Sequence, residues 1–213
     1  MPLFSRIVSR VSPSLLRGIR NNLFLDLGKI ASALPPAGRV LEVGCGYGHV
    51  VSWLAESRSD LEFVGVDPDP DAISRAREMW SLPNLVFEAR EVEALEGEFD
   101  LVLLLDVIHH LPRGGEDAIL RACARRLKPT GRLLIKEMLE GRSTFGVFLD
   151  TYVSRCPPLV RKDEELRRAI DPCFRILSWA QGSKLAIGDL HVLAEIRRTD
   201  GSRRSSEGLR GRD

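Results

Sequence analysis

The sequence predicts an α/β protein built on a doubly wound, mostly parallel sheet with an antiparallel hairpin closing one edge. Three observations carry that reading. From residue 39 onward, five short β-rich runs alternate with segments of helical spacing. The fourth run, FDLVLLL at 99–105, is apolar nearly throughout, as a strand covered on both faces must be. After Glu137 the rhythm changes, and two further strands follow one another across a polar, glycine-containing turn. A chain of 213 residues, 44% hydrophobic and 29% charged, is ordinary globular composition with one core as the default.

The elements follow in order. Residues 39–43 are an apolar strand that runs into glycines, and 48–57 place Val50, Val51, Leu54 and Ala55 on one helical face. A second strand, 61–66, ends at Asp67, and Pro70 stands at the first position of a helix reaching Trp80. Residues 85–88 and 99–105 are the third and fourth strands. A helix over 116–127 stops at Lys128-Pro129-Thr130-Gly131, and a fifth strand begins at 132–135. Strands joined through helical crossovers pair in parallel, with helices on both faces. Residues 141–170 read as mostly helical, broken at Cys156-Pro157-Pro158, and 174–179 with 190–197 as the closing hairpin. The expected organisation is an N-terminal helical lid or amphipathic segment over 1–34, a main domain over 35–198 with a helical substrate insertion at about 138–170, and a disordered polar tail over 199–213.

Charge and cysteine usage narrow the classes. Lys plus Arg number 31 against 30 Asp plus Glu, a formal charge of +1, so no overall basic surface argues for specific nucleic-acid binding. Cys45, Cys123, Cys156 and Cys173 form no CxxC pair, which argues against a structural zinc site or a disulfide scaffold and fits reduced thiols in a cytoplasmic protein. No apolar run approaches the roughly 20 residues of a membrane span, and the N-terminus lacks the apolar core of a secretory signal. Within residues 1–20, Phe4, Ile7, Val8, Val11, Leu15 and Leu16 interleave with Arg6, Arg10, Arg17 and Arg20. That basic amphipathic pattern suits helices packed on the core, a lid over substrate, or peripheral contact with an anionic membrane.

The stretch VLEVGCGYGHV at 40–50 puts a carboxylate in an apolar strand and glycines at 44, 46 and 48. Glycines after the first strand of a parallel sheet let backbone approach a ligand at the strands' carboxyl ends. The spacing is GxGxG, a weak signal alone. Asp67, nineteen residues after Gly48 at the end of the second strand, strengthens it, because a carboxylate there accepts from both hydroxyls of a ribose. A tight turn with no ligand is the bland alternative. A nicotinamide dehydrogenase is the rival enzyme, opposed by the glycine spacing and by the lack of a lysine four residues after Tyr47 or Tyr152.

Four motifs in order, VLEVGCGYGHV, GVDPDP at 65–70, FDLVLLLDVIHHL at 99–111 and LKPTGRLLIKE at 127–137, resemble those of class I S-adenosylmethionine-dependent methyltransferases. The likeness spans roughly 38–137 and looks closest to the small-molecule, quinone-biosynthesis type. It implies a Rossmann-like seven-stranded sheet of order 3-2-1-4-5-7-6, S-adenosyl-L-methionine as cofactor, and methyl transfer to a small-molecule acceptor by in-line displacement. It also implies the site. Gly44, Cys45, Gly46 and Gly48 would line the methionine and ribose part, with Glu42 holding the ammonium end, often through water. Asp67 would bind the ribose hydroxyls, with Pro68 beside the adenine. Glu91 stands where the family usually has Asp to accept from the adenine amino group, with Val92 next to it. Asp106 and Val107 would lie near the methionine end, between cofactor and acceptor.

Catalysis by in-line displacement needs alignment and dryness, and a base only when the nucleophile arrives protonated. His109 and His110, just past the fourth strand, are the base candidates, His110 for an oxygen nucleophile. The alternative is that they cap the following segment and pack beneath the cofactor. Lys136 and Glu137 stand as a structural ion pair or a substrate contact. No metal ligands are expected. No NPPY-like motif follows the fourth strand, which argues against an amino-group enzyme acting on nucleic acid or protein. A non-catalytic cofactor-binding scaffold, the atom methylated, the acceptor, lipophilic or otherwise, and a monomeric or homodimeric state all stay open at this level.

Overall fold

The computed structural model describes residues 27–140, 158–181 and 190–196. The amphipathic pattern of 1–20, the 141–157 part of the helical insertion and the tail lie outside them. The sheet has seven strands in the order β3-β2-β1-β4-β5-β7-β6. Its parallel part comprises β1 (Arg39–Val43), β2 (Glu62–Asp67), β3 (Leu85–Ala89), β4 (Phe99–Leu105) and β5 (Leu127–Glu137). β6 (Phe174–Gln181) and β7 (Leu190–Ile196) close the edge, with β7 antiparallel to both β5 and β6. The expected fold class and strand order are both present.

The two-residue period of the strands divides the core between two faces. Val40, Phe63, Leu101, Leu103 and Leu134 pack with residues of α1 (Leu27–Ser32), α2 (His49–Ser57) and α3 (Pro70–Met79). Leu41, Val66, Val102, Leu104 and Ile135 pack with α4 (Gly115–Arg126) and α5 (Asp163–Ile170) on the other side. Val50, Val51, Leu54 and Ala55 are buried, as the helical spacing requires. α3 starts at Pro70 behind Asp69, whose Oδ1 accepts from the Asp71 amide at 2.9 Å, a side-chain cap.

One boundary differs from expectation. The Lys128–Gly131 stretch does more than end a helix, because β5 begins at Leu127, directly after Arg126. Its pairing with β4 shifts register between Phe99 and Leu101. Gly131 passes so close to β4 that a Cβ there would lie 2.9 Å from the Phe99 carbonyl oxygen. The turn-forming residues are thus absorbed into an irregular strand start.

Candidate active site

Strand alternation explains why a carboxylate sits in β1. Leu41 and Val43 face α4, so Glu42 faces α2, where the first amides of a helix have no acceptor of their own. Glu42 Oε2 accepts from the Val51 amide at 2.9 Å, tying strand to helix beneath the glycine loop. Burial pushes its carboxyl up to about 8, against the pull of the Val51 hydrogen bond and with a smaller push from the Asp67 charge.

The glycine loop is shaped by close approach. Gly44, Gly46 and Gly48 all have positive φ, at 71°, 54° and 72°. A Cβ on Gly44 would lie 2.6 Å from Val107 Cγ2, and one on Gly48 would lie 2.4 Å from the Phe87 ring. The amides of this loop already have partners: Gly44 and Cys45 donate to the Val66 carbonyl at 2.8 and 3.0 Å, and Gly46 donates to Asp67 Oδ2 at 2.8 Å. The loop therefore presents Cα surface, rather than unbonded amides, at these three positions. Trp80, just past α3, braces it from behind by donating its indole N–H to the Tyr47 carbonyl at 2.8 Å. Burial, then the Glu42 and Asp67 charges, push the Cys45 thiol far above its usual value, which makes it a poor nucleophile.

Asp67 ends β2 with Oδ2 on Gly46 and Oδ1 accepting from the Asp69 amide at 3.0 Å. Each carboxylate oxygen accepts two hydrogen bonds, so both retain capacity toward a ligand. Beside it lies a cavity of about 210 Å³ whose lining includes Gly44, Pro68, Glu91, Val92, Val107 and Leu111. Five of the sequence-predicted residues thus meet at one cavity. Gly46 and Cys45 belong to the adjoining loop, Asp67 at the end of β2 holds that loop through the Gly46 amide, and Glu42 lies below it.

The end of β4 is held by charge. Asp106 is the one non-glycine among the described residues with positive φ, at 58°. Its carboxylate receives both hydrogen bonds from Lys136 Nζ, at 2.7 and 2.9 Å, and the Lys136 side chain is buried. Glu137, fully buried, gathers the next turn: Oε2 accepts from the amides of Ile108 and His109 at 2.8 and 3.3 Å, and Oε1 from the Met138 amide at 2.9 Å. Oε1 also meets His109 Nδ1. Asp106, His109 and Glu137 bring ligand-type atoms within 4.8 Å of one another, but lysine and backbone amides engage the two carboxylates. The group is a hydrogen-bonded network that sets the loop after β4. His109 is buried within it, whereas His110 is exposed.

A third anchor was not singled out in the sequence. Arg161 is 1% exposed. Its Nη2 donates to the carbonyls of Leu111 and Pro112, both at 3.0 Å, and to Glu116 Oε2 at 2.8 Å, while Nη1 meets the Leu159 carbonyl. In VRKDEELRR an arginine reads as one more solvated charge, and its burial follows from where the chain returns to the sheet.

Residues 41–133 match the family model described as a methyltransferase domain. A ubiquinone biosynthesis O-methyltransferase of Xanthomonas oryzae pv. oryzae (strain PXO99A) is 28% identical over 171 residues, covering 77% of this chain and 70% of that protein. Another of that name, from Xanthomonas campestris pv. campestris (strain B100), is 27% identical over 176 residues, covering 80% and 71%. Among solved structures, the magnesium protoporphyrin IX methyltransferase of Synechocystis PCC 6803 with bound SAM superposes with a TM-score of 0.64 at 18% identity. It covers 92% of this chain and 86% of that one. At such identity the structural likeness speaks to the fold. Taken with the ordered motifs and the strand order, these matches support S-adenosylmethionine-dependent methyl transfer to a small molecule.

Proposed function

We propose that the acceptor is a small, largely apolar hydroxylated molecule and that the methyl group goes to its oxygen. The support is the O-methyltransferase naming of the relatives, together with an exposed histidine beside the β4 end. The observation that carries the cofactor reading is Asp67, with acceptor capacity left on both oxygens, next to a cavity floored by Gly44 and Val107.

The residues fit the cofactor's parts. Asp67 would take the ribose hydroxyls, as the two retained acceptor sites allow. Pro68, Val92 and Val107 offer apolar walls to a planar ring, and the Glu91 carboxylate stands at the cavity for an amino group. Glu42 would meet the ammonium end through water and hold the loop from below. When bound, S-adenosylmethionine supplies an activated methyl on a sulfonium sulfur. The chain's task is then to align the acceptor and exclude water. The Lys136–Asp106 pair and the Glu137 network fix the turn from which the acceptor would be presented. Buried His109 suits holding that turn, and exposed His110 suits taking up the acceptor's hydroxyl proton.

Residues 1–20 carry a pattern that would let the enzyme meet a lipophilic acceptor at a membrane surface from the cytoplasmic side. Among the described residues no helix is long and apolar enough to cross a membrane.

The test offers labelled S-adenosylmethionine with a catechol, an amine and a thiol of matched size, and identifies the methylated atom by mass spectrometry. A methyl ether supports the reading, and N- or S-methylation alone overturns it. His110→Ala should lower turnover by about 10²–10⁴-fold, the usual range for general base catalysis, and flatten the acid limb of its pH profile. Unchanged rate and profile would remove His110 from the mechanism.

A further inference from the structure

We propose that Arg161 is a positioning residue of the methyl-transfer site, acting through the Leu111–Glu116 segment that walls the cofactor cavity. The proposal rests on the cofactor reading above. Leu111 and Gly115 line the cavity. Leu111 belongs to the connection from β4 to α4, which has little regular structure of its own between His110 and Gly115, and Gly115 opens α4. Three anchors hold it. Glu137 fixes its start through the Ile108 and His109 amides. The Leu159 amide donates to the His109 carbonyl at 2.7 Å. Arg161 holds the middle and the end, taking the carbonyls of Leu111 and Pro112 and the carboxylate of Glu116 with a single nitrogen.

The returning strand segment is fixed in its turn. Arg161 pairs with Leu139 in an isolated parallel bridge, and its carbonyl accepts from the Glu140 amide at 3.0 Å. Arg161 therefore links the chain just after β5, through its backbone, to the first turn of α4, through its guanidinium. Burial works to raise the Glu116 carboxyl, and the Arg161 guanidinium with the Gly114 amide outweighs it, holding Glu116 below its usual range. Glu116 is thus a charged partner, and removing the arginine leaves its carboxylate with the Gly114 amide, the Pro112 carbonyl with the Gly115 amide, and all three acceptors without the cation that joins them. A segment so released moves, and the cavity wall moves with it. Lysine would not replace the arginine, since its one ammonium ends a bond short of Nη2 and leaves no second nitrogen for the Leu159 carbonyl.

The test is calorimetric titration of S-adenosylhomocysteine into wild type, Arg161→Lys, Glu116→Gln and Arg175→Met, well below each melting temperature. Arg175→Met breaks an exposed ion pair with Glu195 between β6 and β7, outside the Leu111–Glu116 segment, and serves as the control. The proposal expects affinity to fall about tenfold or more in Arg161→Lys and about threefold or more in Glu116→Gln, with Arg175→Met near wild type. A merely structural arginine would lower the melting temperature and leave the affinity of the folded protein unchanged. Folded Arg161→Lys binding within twofold of wild type overturns the proposal. Should Arg161→Lys not fold, Glu116→Gln decides alone, and wild-type affinity there overturns it. Wild type failing to bind defeats the cofactor reading itself, a result distinct from wild-type binding with unaffected variants.

Discussion

At the scale of single residues, the site turns on one carboxylate and on glycines that nothing else replaces. Asp67→Ala removes the acceptor for the ribose and also frees the Gly46 and Asp69 amides. Affinity for S-adenosylhomocysteine should fall by about 1.5–3 kcal/mol, the range for hydrogen bonds to a charged group; titration calorimetry checks it, and wild-type affinity would refute the assignment. Two glycines separate backbone strain from crowding. Gly48 and Gly114 both have positive φ, at 72° and 89°, yet a Cβ at Gly114 meets nothing within 4 Å while one at Gly48 strikes Phe87. Gly114→Ala should cost about 1–2 kcal/mol from conformation alone. Gly48→Ala should cost about 1–3 kcal/mol more by overpacking. Urea unfolding of the two variants measures the difference.

At the scale of elements, Glu42 links β1 to α2 and carries a pH signature. An exposed carboxyl in the unfolded chain ionises near 4.5, whereas the folded one stays protonated to about 8. Between those values the folded state holds the extra proton, so this group's contribution to stability is full below 4.5 and is lost as pH rises toward 8. Glu42→Gln keeps an oxygen for the Val51 amide and cannot ionise. The fall in melting temperature from pH 5 to 8 should flatten in the variant, and an unchanged slope would contradict the buried, protonated carboxyl.

The strands and helices were legible because their signals are local: apolar alternation, Pro70 behind Asp69, and glycines at the strand ends. Of the cavity residues, Gly44, Pro68 and Val107 were legible through the order of their motifs, and Glu91 and Val92 through the position after the third strand that the resemblance implies. The Glu137 network and Arg161 were not, because each joins segments distant in sequence. Glu137 sits 29 residues from Ile108, and Arg161 sits 45 from Glu116. Nothing in the local composition marks an acid or an arginine for burial. The irregular start of β5 escaped for a different reason: turn-forming residues signal a break, and here the break lies inside a strand.

At the scale of the whole molecule, the sheet order brings the carboxyl ends of β1, β2 and β4 together where the chain switches from one side of β1 to the other. That switch is where open α/β sheets bind ligands. Among the described residues, the strands supply side chains to the buried cluster on each face, so the sheet itself couples the two faces. A ligand at the switch touches β1, β2, the turn after β3 and α4 at once, and its binding free energy adds to the stability of the fold.

Titration of the wild-type protein with S-adenosylhomocysteine and, separately, with NAD decides whether this switch point holds S-adenosylmethionine. One-to-one binding of S-adenosylhomocysteine, no heat with NAD, and a melting temperature raised only by the former are expected. Binding of NAD, or no binding of S-adenosylhomocysteine by folded protein, would contradict it.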